Sequence, residues 1–235
     1  MASPILTRSG SSTETALSQH MSQVFNYMAG GVGVSGVVAW LVTASPAMMQ
    51  IAIKGQIFWL IAILGMAFML NSIIFRLQPA AGLAVFAGFS ALMGLSLAPL
   101  ALVYTGSSIA TAFATASIMF AGTAAWGYFT KRSLSGWGTF LMMGVWGLVG
   151  ASLIGLVLSL FGVNMGPMSF IISLIAVPLF AGLTAYETNS IRENFAAYGR
   201  DELMRSRLAI LQATSLYINF INMFTALLNL MGDRR

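Results

Sequence analysis

LQPAAGLAVFAGFSALMGLSLAPLALVYTGSSIATAFATASIMFAGTAAWGYFT, residues 77–130, contains no charged side chain. A helix that crosses a bilayer needs about 20 apolar residues at a rise of about 1.5 Å per residue, so this stretch is long enough for two spans. Residues 133–186 are equally free of charge and are long enough for two more. Each stretch therefore predicts a helical hairpin inside a membrane.

The composition of the whole chain agrees with a membrane protein. Hydrophobic residues make up 58% of the chain and charged residues only 7%, against roughly 25% charged residues in an ordinary soluble domain. We therefore predict an all-α polytopic membrane protein that forms one bundle without a second domain. Apolar runs of spanning length predict seven transmembrane helices, at residues 24–44, 56–75, 80–104, 107–129, 137–160, 167–190 and 207–231.

The ends of these spans indicate an orientation. Residues 1–20 are polar and rich in Ser and Thr, and they carry no apolar signal-peptide core, so we predict a polar N-terminal arm followed by a transmembrane domain at residues 21–235. Three basic residues fall on the far side of the membrane, namely Lys54, Arg234 and Arg235. Eight fall on the N-terminal side, namely Arg8, Arg76, Lys131, Arg132, Arg192, Arg200, Arg205 and Arg207. The positive-inside rule then predicts a cytoplasmic N-terminus, and basic residues at span ends indicate contact with lipid, with no nucleic-acid partner.

Polar side chains in the last span follow helical spacing. They recur at intervals of 3, 4, 3 and 7 residues, which places on one face Gln212, Ser215, Asn219, Asn222 and Asn229. An amide facing lipid would leave its hydrogen-bonding groups unsatisfied at a cost of several kcal/mol, so this face must point inward. The last helix is therefore predicted to be central in the bundle. The polar face fits a hydrogen-bonded seam between helices and a polar pathway equally well.

Several chemistries are disfavoured by where the ionisable residues fall. Both lysines lie in predicted loops, which excludes a retinal Schiff base inside a span. The only histidine, His20, lies in the predicted arm, where we expect it to be solvated, and the chain contains no cysteine. The two aspartates, Asp201 and Asp233, lie outside the predicted spans. We therefore expect neither an enzyme nor a metal or cofactor site.

One carboxylate occurs close to the end of a span. Glu187 lies about twenty residues after Pro167, near the cytoplasmic end of the sixth span, and Arg76 closes the second span at the same membrane level. The two side chains could form an ion pair. Ionisable groups inside membranes are usually functional, so Glu187 is a candidate for a gate that responds to pH. The alternative is that Glu187 merely begins an interfacial segment and is hydrated.

Four blocks of sequence, in this order, resemble the transmembrane Bax inhibitor motif family, also called the Bax inhibitor-1 family, in its bacterial branch. They are GLSLAPLALVYTGSSIATAFATASIMF (94–120), YFTKRSLSGWG (128–138), FAGLTAYETNSI (180–191) and LYINFINMF (216–224). The resemblance covers nearly all of the chain after residue 20. It implies a seven-helix fold in a bacterial plasma membrane, with the last helix enclosed by the other six.

The resemblance also implies a cation leak, chiefly of calcium, in which acids on the sixth and seventh helices share protons and the sixth-helix acid latches to an arginine on the second. By motif match the latch is Glu187, in the block usually written Tyr-Asp-Thr-Gln, with Arg76 as its partner. The seventh-helix block usually reads Leu-Tyr-Leu-Asp-Phe-Ile-Asn, and here its acidic position is Asn219. Without the second carboxylate, no repulsion between two acids favours a shared proton. Calcium selectivity is weakened as well, because one anionic ligand is lost.

The leading functional hypothesis is thus a pH-sensitive cation leak channel, with Glu187, Arg76 and Asn219 at the gate. The remaining polar residues of the last helix, Gln212, Ser215, Asn222 and Asn229, would line the route or seam. The alternative is a regulator that transports nothing and binds other membrane proteins, such as a membrane-anchored protease, with residues 1–20 as its handle. A secondary transporter has less support, because no inverted repeat is visible.

Overall fold

The computed structural model describes residues 5–199 and 201–234, with side chains described from residue 14 onward except at position 160. The chain is 89% helical, and no strand occurs among the described residues. Arg8, Arg200 and Arg235, which contributed to the predicted orientation, have side chains outside the described part. Nine α-helices are present in that part: α1 Ile5–Thr43, α2 Pro46–Lys54, α3 Gln56–Ile73, α4 Pro79–Leu97, α5 Leu100–Val103, α6 Gly106–Phe129, α7 Gly138–Leu160, α8 Gly166–Tyr198 and α9 Glu202–Met231.

Seven helical segments are long and apolar enough to cross a membrane, which confirms the predicted fold class. They are Glu14–Thr43, Gln56–Arg76, Pro79–Val103, Gly106–Phe129, Ser135–Ser159, Gly166–Tyr198 and Glu202–Met231. The chain forms two compact units. The first unit consists of Met1–Leu100 and Ile191–Tyr217, and the second of Ala101–Ser190 and Ile218–Arg235. The chain passes between the units at three points, one at the start of α5, one within α8 and one within α9.

The first helix starts much earlier than its predicted span. Its backbone is helical from Ile5, so residues 5–20 continue directly into the apolar segment. The predicted division between an arm and a transmembrane domain at residue 20 stays a prediction. Between the first two spans the structure has α2, which hydropathy did not predict. Pro46 occupies its first turn, and the Ser45 hydroxyl caps it by accepting from the Met48 N–H.

Two prolines act differently on the predicted spans. Pro99 follows the end of α4 and separates it from α5, so the predicted span at residues 80–104 is a broken helix. Proline has no N–H and its ring clashes with the carbonyl four residues earlier, which accounts for the break. Pro178 lies inside α8, which nevertheless runs from Gly166 to Tyr198. The helix thus continues past the predicted end of the sixth span at residue 190, as far as Tyr198.

The last helix is the most buried of the spanning segments, with 56% of its apolar window buried. From Met204 to Leu230 every residue is described and none is exposed. In the first unit, Tyr217 is fully buried between the rings of Phe86 and Phe89, with ring centroids 5.7 and 5.8 Å away. The prediction that the last helix lies in the interior is confirmed.

Aromatic packing encloses α9 in the second unit as well. The Phe220 ring of α9 lies edge-on to Phe113 and Phe120 of α6, at centroid distances of 5.5 and 5.8 Å. Edge-to-face pairs of this kind stabilise by about 0.5–1.5 kcal/mol beyond their buried area. By contrast α7 exposes many large apolar side chains, such as Phe140 and Trp146, as expected of a helix that faces lipid.

Small residues bring helices together in the first unit. The Ser35 backbone of α1 lies so close to Gly94 of α4 that a Cβ at position 94 would overlap it. The Ser35 hydroxyl is shared among the Gly31 carbonyl (3.0 Å), the Ser90 carbonyl (2.8 Å) and the Tyr217 hydroxyl (2.6 Å). Close backbone approach with polar bonds across it is typical of membrane helix packing. Small residues also recur every four positions in α7, at Gly147, Ala151 and Gly155. Gly147 makes no such close contact, because no described atom lies within 4 Å of a Cβ built there.

Candidate functional site

The clearest polar contact in the second unit joins α8 to α9. The Asn219 amide donates from Nδ2 to Glu187 Oε2 at 2.9 Å. Asn219 is only 4% exposed, and Glu187 is half-buried. The sequence singled out both positions, the first as an amide in place of an acid and the second as a lone acid in an apolar helix. The structure brings these two predicted residues together.

An acid and an amide can remain hydrogen-bonded in either protonation state of the acid. An ionised carboxylate accepts from the Asn219 N–H groups, while a protonated one also has an O–H to donate to Asn219 Oδ1. The number of bonds that join α8 to α9 at this point therefore depends on a single proton. Two facing carboxylates would have to share that proton, whereas here Glu187 alone binds it.

A second side chain of the same block was not predicted. Asn189 is 1% exposed and lies two residues after Glu187, so it points to another face of α8. Its Oδ1 accepts from the Leu134 N–H at 3.0 Å, and its Nδ2 lies 3.3 Å from the Gly127 carbonyl and 3.4 Å from the Arg132 carbonyl. Asn189 thereby holds the end of α6 and the loop that follows it. The only feature of the sequence that could have indicated Asn189 is that it is an amide inside the block at residues 180–191.

The remaining polar residues of α9 also face the interior. The Tyr104 hydroxyl donates to Asn229 Oδ1 at 2.6 Å. Asn222 donates from Nδ2 to the Ile218 carbonyl of its own helix at 2.9 Å, and Ser215 is half-buried. Asn219 thus forms a hydrogen bond between two helices, and Asn229 forms one with the connection between α5 and α6. Both bonds are of the kind expected in a hydrogen-bonded seam, and the polar pathway stays a prediction.

In the first unit Gln212 lies in a cluster with His20 and Tyr198. Gln212 Oε1 is 2.7 Å from His20 Nε2, and Gln212 Nε2 donates to the Tyr198 hydroxyl at 3.0 Å. His20 is 1% exposed and packs against the ring of Phe195 at a centroid distance of 5.4 Å. The prediction that His20 is solvated is wrong. Because α1 begins at Ile5, position 20 lies within a helix and faces α9, well away from a free end.

Arg76 ends the 3₁₀ turn Ile74–Arg76 after α3, and its side chain is exposed. Close by in sequence, the Leu77 carbonyl accepts from Arg207 Nε at 2.9 Å, which fixes the start of α9 in the first unit. Arg76 belongs to the first unit and Glu187 to the second, and their pairing stays a prediction. Among the residues that the structure describes, no group of three His, Cys, Asp or Glu side chains could hold a metal ion.

Seven spanning segments, of which the last is buried and carries a polar face, and an acid and an amide bonded between the last two of them define a multi-pass α-helical membrane protein. A family profile described as "Inhibitor of apoptosis-promoting Bax1" matches residues 17–235. The chain belongs to this family, the Bax inhibitor-1 family, as the resemblance in the sequence predicted.

Bacterial relatives match over almost their whole length. The inner membrane protein YbhL of Escherichia coli (strain K12) is 34% identical over 223 residues, which cover 93% of each chain. YrjE of Lactococcus lactis subsp. lactis is 35% identical over 222 residues, covering 92% of this chain and 91% of YrjE. RP147 of Rickettsia prowazekii is 34% identical over 225 residues, covering 94% of this chain and 92% of RP147.

Proposed function

We propose that this protein is a pH-sensitive cation leak channel of a bacterial inner membrane, with Glu187 as its titrating group. The observation that carries the proposal is the hydrogen bond from Asn219 to Glu187, which places a carboxylate at the junction of the last two spans. The name of the relative YbhL supports the location. The excess of basic residues on the N-terminal side supports a cytoplasmic N-terminus. In this proposal the protein works without catalysis or a bound cofactor.

The gate in this proposal is the contact between α8 and α9. A carboxylate inside a membrane segment is costly unless it is paired or reached by water, so its position favours a functional role. Protonation changes the hydrogen bonds that Glu187 can form with its two partners in this proposal, the Asn219 amide and the Arg76 guanidinium. The polar face of α9 supplies hydrogen-bonding groups along the route, at Gln212, Ser215, Asn222 and Asn229.

The proposed site has a weak preference for calcium. Calcium takes about 6–8 oxygen ligands and binds best where several are anionic. Glu187 contributes one carboxylate, and Asn219 contributes a neutral amide whose Nδ2 is already directed at that carboxylate. We therefore expect monovalent cations to pass at rates comparable to calcium. Asn219→Asp adds a second anionic ligand and should increase the share of calcium in the flux.

Ion flux from sealed proteoliposomes tests the proposal. Flux should differ between about pH 6 and pH 8, and Glu187→Gln should flatten that difference because Gln keeps the shape and cannot titrate. Glu202→Gln is the matched control, since it makes the same chemical change at an exposed acid of α9. No flux above empty vesicles at any pH would remove the channel, and an unchanged pH response in Glu187→Gln would remove the gate.

A second function has one supporting observation. The backbone of α1 is helical from Ile5, whereas the apolar run predicted as the first span begins at residue 24, so the helix extends beyond that run. Such an extension could bind another membrane protein, for example a membrane-anchored protease. Affinity capture with the full chain and with a chain lacking residues 1–13 separates the two functions. Loss of a specific partner with intact flux would assign the extension to regulation.

A further inference from the structure

Beyond the C-terminal end of α1, the first unit contains an open cavity of about 560 Å³ between α2 and the start of α3. Its polar lining consists of Gln50, Lys54 and the Trp59 indole, and Ile51 and Phe58 supply apolar surface. The cavity therefore combines one cation, one amide and an apolar wall at the junction of two spanning helices. This place lies at the membrane surface, since α1 ends at Thr43 and the next span begins at Gln56.

The cavity is built by packing within the first unit. Buried Met49 and Ala52 of α2 pack against Val42 of α1 and Ala98, which fixes one face of the short helix. The other face, with Gln50 and Lys54, stays exposed.

The turn between α2 and α3 is also fixed. The Trp59 indole lies where a Cβ of Gly55 would be and donates from Nε1 to the Ile51 carbonyl at 3.3 Å. The glycine is needed for this close approach. Trp at a membrane interface is typical of a side chain with an apolar body and a polar N–H.

Lys54 is remote from every carboxylate of its unit. The acidic residues there are Glu14, Glu193, Asp201 and Glu202. The contact of His20 with Tyr198 places the end of α8 beside the first part of α1, and therefore places these acids near that end. Residues 20 to 43 of α1 extend about 35 Å at a rise of about 1.5 Å per residue, which separates the acids from α2. An exposed ammonium beside an apolar wall, far from any acid of the unit, is complementary to an anion that carries hydrocarbon.

We propose that this cavity binds an anionic glycerophospholipid, with its phosphate at Lys54 and Gln50 and an acyl chain along Phe58. Phe58 is 63% exposed and Ile57 and Ile61 are also exposed, so the apolar surface continues down α3 where a chain would run. The occupant is a lipid of the leaflet opposite the N-terminus. The site is independent of Glu187 and of the proposed cation leak.

The chain allows a clean test because it contains only two lysines, Lys54 and Lys131. The purified protein is placed in vesicles of phosphatidylcholine alone, or of phosphatidylcholine mixed equally with phosphatidylglycerol. Both lysines are then acylated with a membrane-permeant ester, because they are predicted to lie on opposite sides of the membrane, and each is quantified by mass spectrometry. Phosphatidylglycerol should lower the acylation of Lys54 about fivefold relative to that of Lys131, the effect of one close cation–lipid contact. Equal changes at both lysines would show a general surface potential and would overturn the proposal.

Two further experiments test whether the protection of Lys54 requires the cavity and whether the bound phosphate belongs to a lipid. Gly55→Ala keeps Lys54 but adds a Cβ where the Trp59 indole lies, so it should abolish the selective protection. Gly65→Ala is its control, because no described atom lies within 4 Å of a Cβ built there. Protection that survives Gly55→Ala would overturn the proposal. So would equal protection of Lys54 by soluble glycerol phosphate in phosphatidylcholine vesicles, because the occupant would then be a free phosphate and not a lipid.

Discussion

Gly127 of α6 packs so closely against the backbone of Ala185 in α8 that a Cβ at position 127 would overlap the Ala185 carbonyl oxygen. Ala185 lies two residues, or about half a helical turn, before Glu187, and Asn189 also bonds the Gly127 carbonyl at 3.3 Å. The acid is therefore carried by a part of α8 that is fixed against α6. A rigid support of this kind is what a site needs in order to hold a side chain in one geometry.

Gly127→Ala should destabilise the protein by about 1–3 kcal/mol, because an added methyl group in a closely packed contact forces the backbones apart. Gly122→Ala, in the same helix, has no described atom within 4 Å of its new Cβ and should be neutral or slightly stabilising. Thermal unfolding in detergent measures both. Equal melting temperatures for the two variants would contradict the close contact.

Asn189→Ala should loosen the loop between α6 and α7. The substitution leaves the buried Leu134 N–H without its acceptor, at a cost of about 1–3 kcal/mol. The expected result is a lower melting temperature and faster proteolysis within residues 130–134. Asn71→Ala removes an exposed amide and is the control. If both variants are cleaved at the wild-type rate, Asn189 does not hold the loop.

His20 should occupy one tautomer. Gln212 Nε2 is used by the Tyr198 hydroxyl, so Oε1 faces His20 Nε2, which must then be the ring nitrogen that carries the proton in the neutral imidazole. Nitrogen NMR of the chain's only histidine should show the Nε2–H form. The Nδ1 tautomer in the wild type would reverse the assignment of the Gln212 amide.

Gln212→Leu removes the partner of both His20 and Tyr198. It should change the nitrogen signals of His20 and lower stability by about 1 kcal/mol for each lost bond between membrane helices. Gln19→Leu replaces an exposed amide next to His20 and should leave the signals unchanged. Unaltered signals in Gln212→Leu would mean that the two side chains are not bonded.

Asn219→Asp should make stability depend on pH. Two ionised carboxylates at this contact repel each other, and protonation of one relieves the repulsion. The stability of the variant is therefore retained at low pH and lost as the pH rises, so its melting temperature should be lower at about pH 8 than at about pH 6 by more than that of the wild type. Asn222→Asp places an acid elsewhere on α9 as a comparison. A larger pH effect in Asn222→Asp would argue against a direct contact between residues 187 and 219.

The sequence alone determined the class of this protein, the number of its spans and the inward direction of the polar face of α9. These follow from the free energy of placing each side chain in hydrocarbon, which depends on composition and helical period. It also indicated Glu187 and Asn219, because ionisable and amide groups stand out in an apolar helix.

Only the tertiary structure decided which polar groups meet. How each helix is rotated and which neighbour it packs against decide three features: the burial of His20, the hydrogen bonds of Asn189 to the loop after α6, and the short helix α2 with its cavity. The hydropathy of a segment does not determine how a helix is rotated about its axis. It also does not distinguish a polar residue near a helix end that is solvated from one that is hydrogen-bonded to a neighbouring helix. For that reason His20 was assigned to solvent from the sequence, whereas the structure places it in a hydrogen-bonded cluster.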